Sequence, residues 1–159
     1  MAKIERKYLA HFINTAASGQ EAVYEQLGKD LEAFTAELSA QIETKKNILG
    51  QNSIVISGYE KTAAVEPYYA DSGTGLFEKL QKIIDDGLVL DDLKTDVVEV
   101  KLWDNTQEGV YPAVKEEVYV EVNSYGGDTT GYQIPFTLHY TGNRVKGTFE
   151  VASRTFTAA

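Results

Sequence analysis

Residues 22–42, "AVYEQLGKDLEAFTAELSAQI", carry two periods at once, and the choice between them decides the fold. Val23, Leu27, Leu31, Phe34, Leu38 and Ile42 recur every three or four residues, which draws one apolar stripe along an α-helix. Phe34, Ala36, Leu38, Ala40 and Ile42 also alternate with Thr35, Glu37, Ser39 and Gln41, the two-residue period of a strand. Gly28 weakens the helix by about 1 kcal/mol. Spacing alone favours helix, and it leaves the strand open.

Downstream the patterns are single. "GTGLFEKLQKIIDDG" places Leu76, Phe77, Leu80, Ile83 and Ile84 on one helical stripe, with Thr74 as N-cap and Gly87 at the left-handed C-cap, so a helix is predicted over 75–86. "DVVEVKLWD", "VKEEVYVEVNS" and "YQIPFTLHY" alternate as strands. Gly142–Asn143 reads as a tight turn into a further strand, "RVKGTFEV". "NSIVISGYE" is a short strand, and "KTAAVEPYYADSG" is a loop. Pro135 cannot donate to a ladder and marks an edge or a bulge. The expectation is one domain over 1–159, with a strand meander over about 96–152.

The net charge of −9 is concentrated. Residues 71–128 carry fourteen acidic and five basic side chains, against nine and seven in 1–70 and one and three in 129–159, so the middle third repels phosphate backbones. With no cysteine, thiol catalysis, disulfides and thiolate metal sites are excluded. No apolar run reaches the roughly 20 residues of a membrane span, so no membrane partner is expected.

No catalytic constellation emerges. "SYGGDTTG" lacks the lysine and the following helix of a phosphate-binding loop, and reads as a strand-to-strand connection. His11 and His139 stand in apolar strands without a carboxylate at ligand spacing, and read as structural. The acid pairs Asp85–Asp86, Asp91–Asp92 and Glu116–Glu117 lack the alternating oxygens of a calcium loop. The expectation is therefore no catalytic residue, no metal and no cofactor. Tyr68, Tyr69, Tyr125 and Tyr132 lie in loops or at strand ends, where tyrosine serves contacts to another protein chain.

"LGKDLEAFTAELSAQIETKKNILG", "SGYEKTAAVEPYYA", "SYGGDTTGYQIPF" and "TGNRVKGTF", in that order, resemble the tail tube (major tail) proteins of long-tailed bacteriophages and related prophages of Gram-positive bacteria. The resemblance spans roughly residues 8–151. It implies a mainly β fold with one α-helix, a β-sandwich or partial barrel flanked by that helix. It implies rings, of six copies in the family, stacked into a tube that DNA passes through without specific binding. It makes 31–42 a strand, against the spacing, and makes about 43–70 an assembly hairpin or loop reaching a neighbouring ring. A tape-measure protein and tail-terminator or initiator proteins of the same phage would be the other partners, and the virion tail, assembled in the bacterial cytoplasm, the location.

On this footing Glu99, Glu116, Glu117 and Glu121 are candidates to line the channel. Lys3, Arg6 and Lys7, on an N-terminal arm of about residues 1–7, are candidates for contact with an adjacent ring, together with the four tyrosines. Pro135, Lys101 and Lys115 are candidates to blunt open strand edges. Two alternatives accompany this expectation: another virion β-protein, such as a head–tail connector or the inner tube of a contractile particle, and a β-rich ligand-binding module.

Overall fold

The computed structural model describes residues 2–159 apart from 18, 30, 32 and 105–107. Its strands are β1 (Leu9–Asn14), β2 (Tyr24–Leu27), β3 (Ala36–Lys46), β4 (Asn52–Val65), β5 (Lys94–Lys101), β6 (Val110–Val122), β7 (Gly126–Asp128), β8 (Gly131–Gln133), β9 (Phe136–Glu150) and β10 (Thr155–Ala158). One α-helix, α1 (Gly75–Asp86), precedes β5. The main sheet runs β2-β1-β5-β6-β9-β4-β3, with β10 on the far end of β9, and β7 and β8 form a small sheet of their own. Among the described residues the fold is mainly β with one α-helix.

Residues 22–42 hold β2, a link through buried Phe34 and the start of β3; none of the described residues there is helical. The helical spacing is overturned by pairing. Gly28 sits at φ +135°, outside any helix, and β3 finds an eleven-residue antiparallel partner in β4. Leu27 and Phe34 do reach the core at helical spacing, but one from β2 and the other from the link that follows it. Residues 30 and 32 of the stretch, and 105–107 of the expected meander, lie outside the described residues.

The helix forms where its caps place it. The Thr74 hydroxyl accepts the Phe77 N–H at 3.3 Å, and Gly87 closes the helix at φ +60°. Leu76, Leu80 and Ile83 bury one face against Ile13, Val97, Val118, Val120, Phe136 and Leu138 of the sheet. The opposite face carries a second core of Ala10, Phe12, Tyr24, Val98, Val100, Ala113 and Phe149. Phe12 and Phe149 meet at 4.6 Å although β1 and β9 stand three strand positions apart. A flat sheet would hold them about 14 Å apart, so this sheet coils into part of a barrel.

The turn expected at Gly142–Asn143 does not occur: β9 continues to Glu150. β6 is long enough to pair with nearly all of it, and the register shift between Glu116 and Val118 lies opposite Gly142, which bends at φ +88° instead of reversing.

Candidate assembly surface

β3 and β4 pair along their whole length, yet among the described residues β4 pairs with β9 only through Thr62–Val65. Beyond Lys61 the two strands leave the sheet as a free ribbon. At about 3.3 Å per residue, Asn52 to Lys61 extend roughly 33 Å. The turn at 47–51 is ordered by Asn47, whose side-chain oxygen accepts the Leu49 and Gln51 N–H groups at 2.9 and 3.0 Å.

Directly opposed residues in an antiparallel pair share a face, so the register sorts the ribbon. Leu38, Ala40, Ile42, Ile54, Ile56 and Tyr59 form one face, in line with buried Ala63 at the base. That face extends the helix-side core into solvent. Leu38, Ile42 and Tyr59 are each about 60% exposed, and Ile48 at the tip is fully exposed. The other face is polar: Glu37, Ser39, Gln41, Glu43 and Glu60. Across β4, β9 and β6 it continues as Thr62, His139, Thr137, Tyr119 and Glu121. Alternating strands thus give a four-stranded surface, polar on one side and apolar beneath.

A buried ion cluster fixes the ribbon's base. Glu116, 4% exposed, accepts from Lys61 Nζ at 3.1 Å and faces Arg144 Nε at 3.5 Å; Glu99 stands 3.9 Å from the same lysine. Lys61 also lies over the Tyr140 ring at 4.5 Å. Glu99 and Glu116 therefore face the helix side, opposite Glu121, and Glu117 alternates with Glu116 to bind Lys94 at 3.6 Å. The four acids do not share one surface. His139 meets Glu121 at 2.7 Å, a carboxylate partner that the sequence spacing did not foresee. His11 is buried edge-on to Phe34; burial, then the charges of Arg6 and Lys61, lower its pKa to about 4.

The predicted contact residues separate likewise. Arg6 donates to the Leu9 and Phe34 carbonyls, at 2.5 and 3.0 Å, and Lys7 pairs with Glu5 at 3.1 Å; Lys3 is exposed. Tyr68 stacks edge-on to Phe136 and Tyr132 to Phe77, with the Tyr132 hydroxyl donating to Gln81 at 2.7 Å. Tyr69 bridges to Gln133, and Tyr125 is 63% exposed. Of the edge candidates, Lys115 covers the Phe156 ring, Lys101 ends β5 and Pro135 lies just before β9. In "SYGGDTTG", a Cβ on Gly127 would fall 2.2 Å from the Gly131 carbonyl, so the glycine lets β7 and β8 close on each other. Among the described residues no three His, Asp or Glu side chains cluster as metal ligands, and no helix is long and apolar enough to cross a membrane.

Sequence reasoning saw the two faces of residues 34–42 as one of two open readings, but missed their register with β4 and the acids Glu43 and Glu60 on the polar face. The available signal was the alternating run at 36–42 and the apolar run at 54–56 on either side of the "NILGQ" turn.

No protein-family model matches the sequence, and no curated protein matches it. Among solved structures the chain is similar to one in a cryo-EM structure of an extracellular contractile injection system, described as the PVC sheath/tube terminator in its extended state. The match has 12% identity and a TM-score of 0.55, covering 92% of this chain and 97% of that one. At that identity the likeness is one of fold.

Proposed function

We propose that the chain is a non-catalytic structural subunit of a phage-tail-like tube, assembling with copies of itself into stacked rings around a channel. The observation that carries this is the ribbon. A lone two-stranded hairpin is marginal in water, and an apolar face of this size marks a protein contact. The ribbon's strand edges beyond Lys61, and β9 between its β4 and β10 partners, are also unpaired among the described residues, ready for strands of a neighbour.

The polar four-stranded face lines the channel in this scheme. Glu121 and Glu117 remain on that side of the sheet, joined by Glu37, Glu43 and Glu60, while Glu99 and Glu116 act instead in the ribbon's anchor. Their carboxylates repel a passing nucleic acid backbone and let it slide. The tape-measure and terminator or initiator proteins of the same particle are the expected heterologous partners.

Electron microscopy and sedimentation of purified protein at rising concentration test the proposal. Rings or tubes of uniform diameter are expected, and Ile42→Glu with Ile56→Glu should abolish them while leaving a folded monomer. Monodisperse monomers from the unsubstituted chain at every concentration would overturn it. The fold likeness to a sheath/tube terminator supports a second role, a ring that ends a tube. Tubes that lengthen with concentration favour the tube subunit, and single rings that stop favour the terminator.

A further inference from the structure

We infer that a groove between β2 and the start of α1 receives the ribbon tip of a second copy, so that each subunit carries both halves of a directional joint. The inference rests on self-assembly and adds the receiving surface. The groove has a volume of about 450 Å3, and Leu27, Val65, Tyr68, Leu76, Glu25 and Asp71 are among its lining. A cavity of about 150 Å3 accepts one benzene-sized group. The groove therefore has room for the two aliphatic side chains of the tip, with space for backbone beside them.

The tip is shaped for insertion. Ile48 is fully exposed and Leu49 is 75% exposed. Both sit on a turn closed by the Asn47 N–H to Gln51 carbonyl bond at 3.0 Å and by the Asn47 side chain, so little ordering remains to be done on docking. Charge agrees with the pairing. Lys45 and Lys46 flank the tip against a single Glu43, and Lys46 has no ion-pair partner among the described residues. Among the described residues the groove carries Glu25, whose carboxylate accepts the Leu76 N–H at 2.9 Å, and Asp71, against Lys29, which reaches Asp71 at 3.5 Å in an exposed, weak pair.

The occupant belongs to another molecule. Val65 lies at the inner end of β4, and the turn beyond Asn52 is roughly 43 Å away along paired strands, so a chain cannot fill its own groove without dismantling the ribbon. Tip and groove are different patches of one chain, which makes the contact heterologous and able to propagate.

The chain has no native cysteine, so engineered thiols report without background. Leu49→Cys and Ser72→Cys, the latter in the groove lining, are mixed in equal amounts under mild oxidation. The mixture should give at least tenfold more cross-linked dimer than either variant alone, and the double variant should give a ladder of oligomers. Adding Ile48→Glu should lower the yield at least tenfold. Equal linking of Leu49→Cys to itself, or to Lys82→Cys on the exposed side of α1, would overturn the inference, as would linking only to another protein in a lysate. If particles still form when the thiols link elsewhere, the groove assignment alone fails. If the unsubstituted chain also stays monomeric, the proposed function fails with it.

Discussion

Phe136 in the body and Ile56 in the ribbon both belong to strands of alternating apolar and polar residues, but one is fully buried and the other 52% exposed. The body's alternation is answered within the chain, by α1 on one face and by the coiled end of β9 on the other. The ribbon's is not answered. A two-residue period fixes which side of a strand is apolar, and leaves open whose atoms will cover it. In this molecule the distinction between folding and assembly runs through a single strand, β4, at Lys61.

That contrast can be broken most forcefully in the body. Phe136→Ala should lower the monomer's unfolding free energy by about 4 kcal/mol in a urea titration, because it opens a cavity at a fully buried site. The next largest effects concern the boundary. Glu116→Gln leaves Lys61 with only the more distant Glu99 and should destabilise by about 3 kcal/mol; adding Lys61→Met should recover much of that loss.

Acid should act on the same region. His11 is lowered to about 4 in the folded chain, so the unfolded chain binds the extra proton below its ordinary pKa. Stability is then full above about pH 6.5, falls by about 3 kcal/mol as pH drops to about 4, and loses nothing further from this group below that. The difference in unfolding free energy between the parent and His11→Leu across this pH range isolates the contribution. Thr74→Ala removes the α1 cap and should cost about 1 kcal/mol in the same titration. Smallest of all, Ile54→Ala in the ribbon should change monomer stability by less than about 0.5 kcal/mol, while sedimentation shows weakened association. A large monomer loss at Ile54 would mean that the ribbon is part of the folded core after all.

The helix and the central strands were legible because each showed one period with its own punctuation: Thr74 and Gly87 for α1, and clean alternation for β5 and β6. Residues 22–42 were not, since two periods coincide there and the deciding partner, β4, is supplied by later residues. Gly142–Asn143 carries turn chemistry, but a long β6 opposite it keeps the strand paired on both sides of the bend. The candidate acids were legible as a charged segment only. Which side each faces depends on the shift at Glu116/Val118 and on pairing across four strands, neither of which is written locally. Arg6 and Glu116, expected at contacts between copies or with DNA, also make bonds within the chain that no local pattern announces.

The strand order has a kinetic consequence. β3 and β4 are joined by a five-residue turn at 47–51, so their hairpin can close within about 1–10 microseconds. The body must wait for distant encounters, β1 with β5 and β4 with β9, which slow topologies of this kind into the millisecond-to-second range. On refolding from denaturant the adhesive arm would thus form and re-form many times, with its apolar side chains exposed, before the platform that aims it. Yield should then fall steeply with protein concentration during refolding and recover when mixing is slow and dilute.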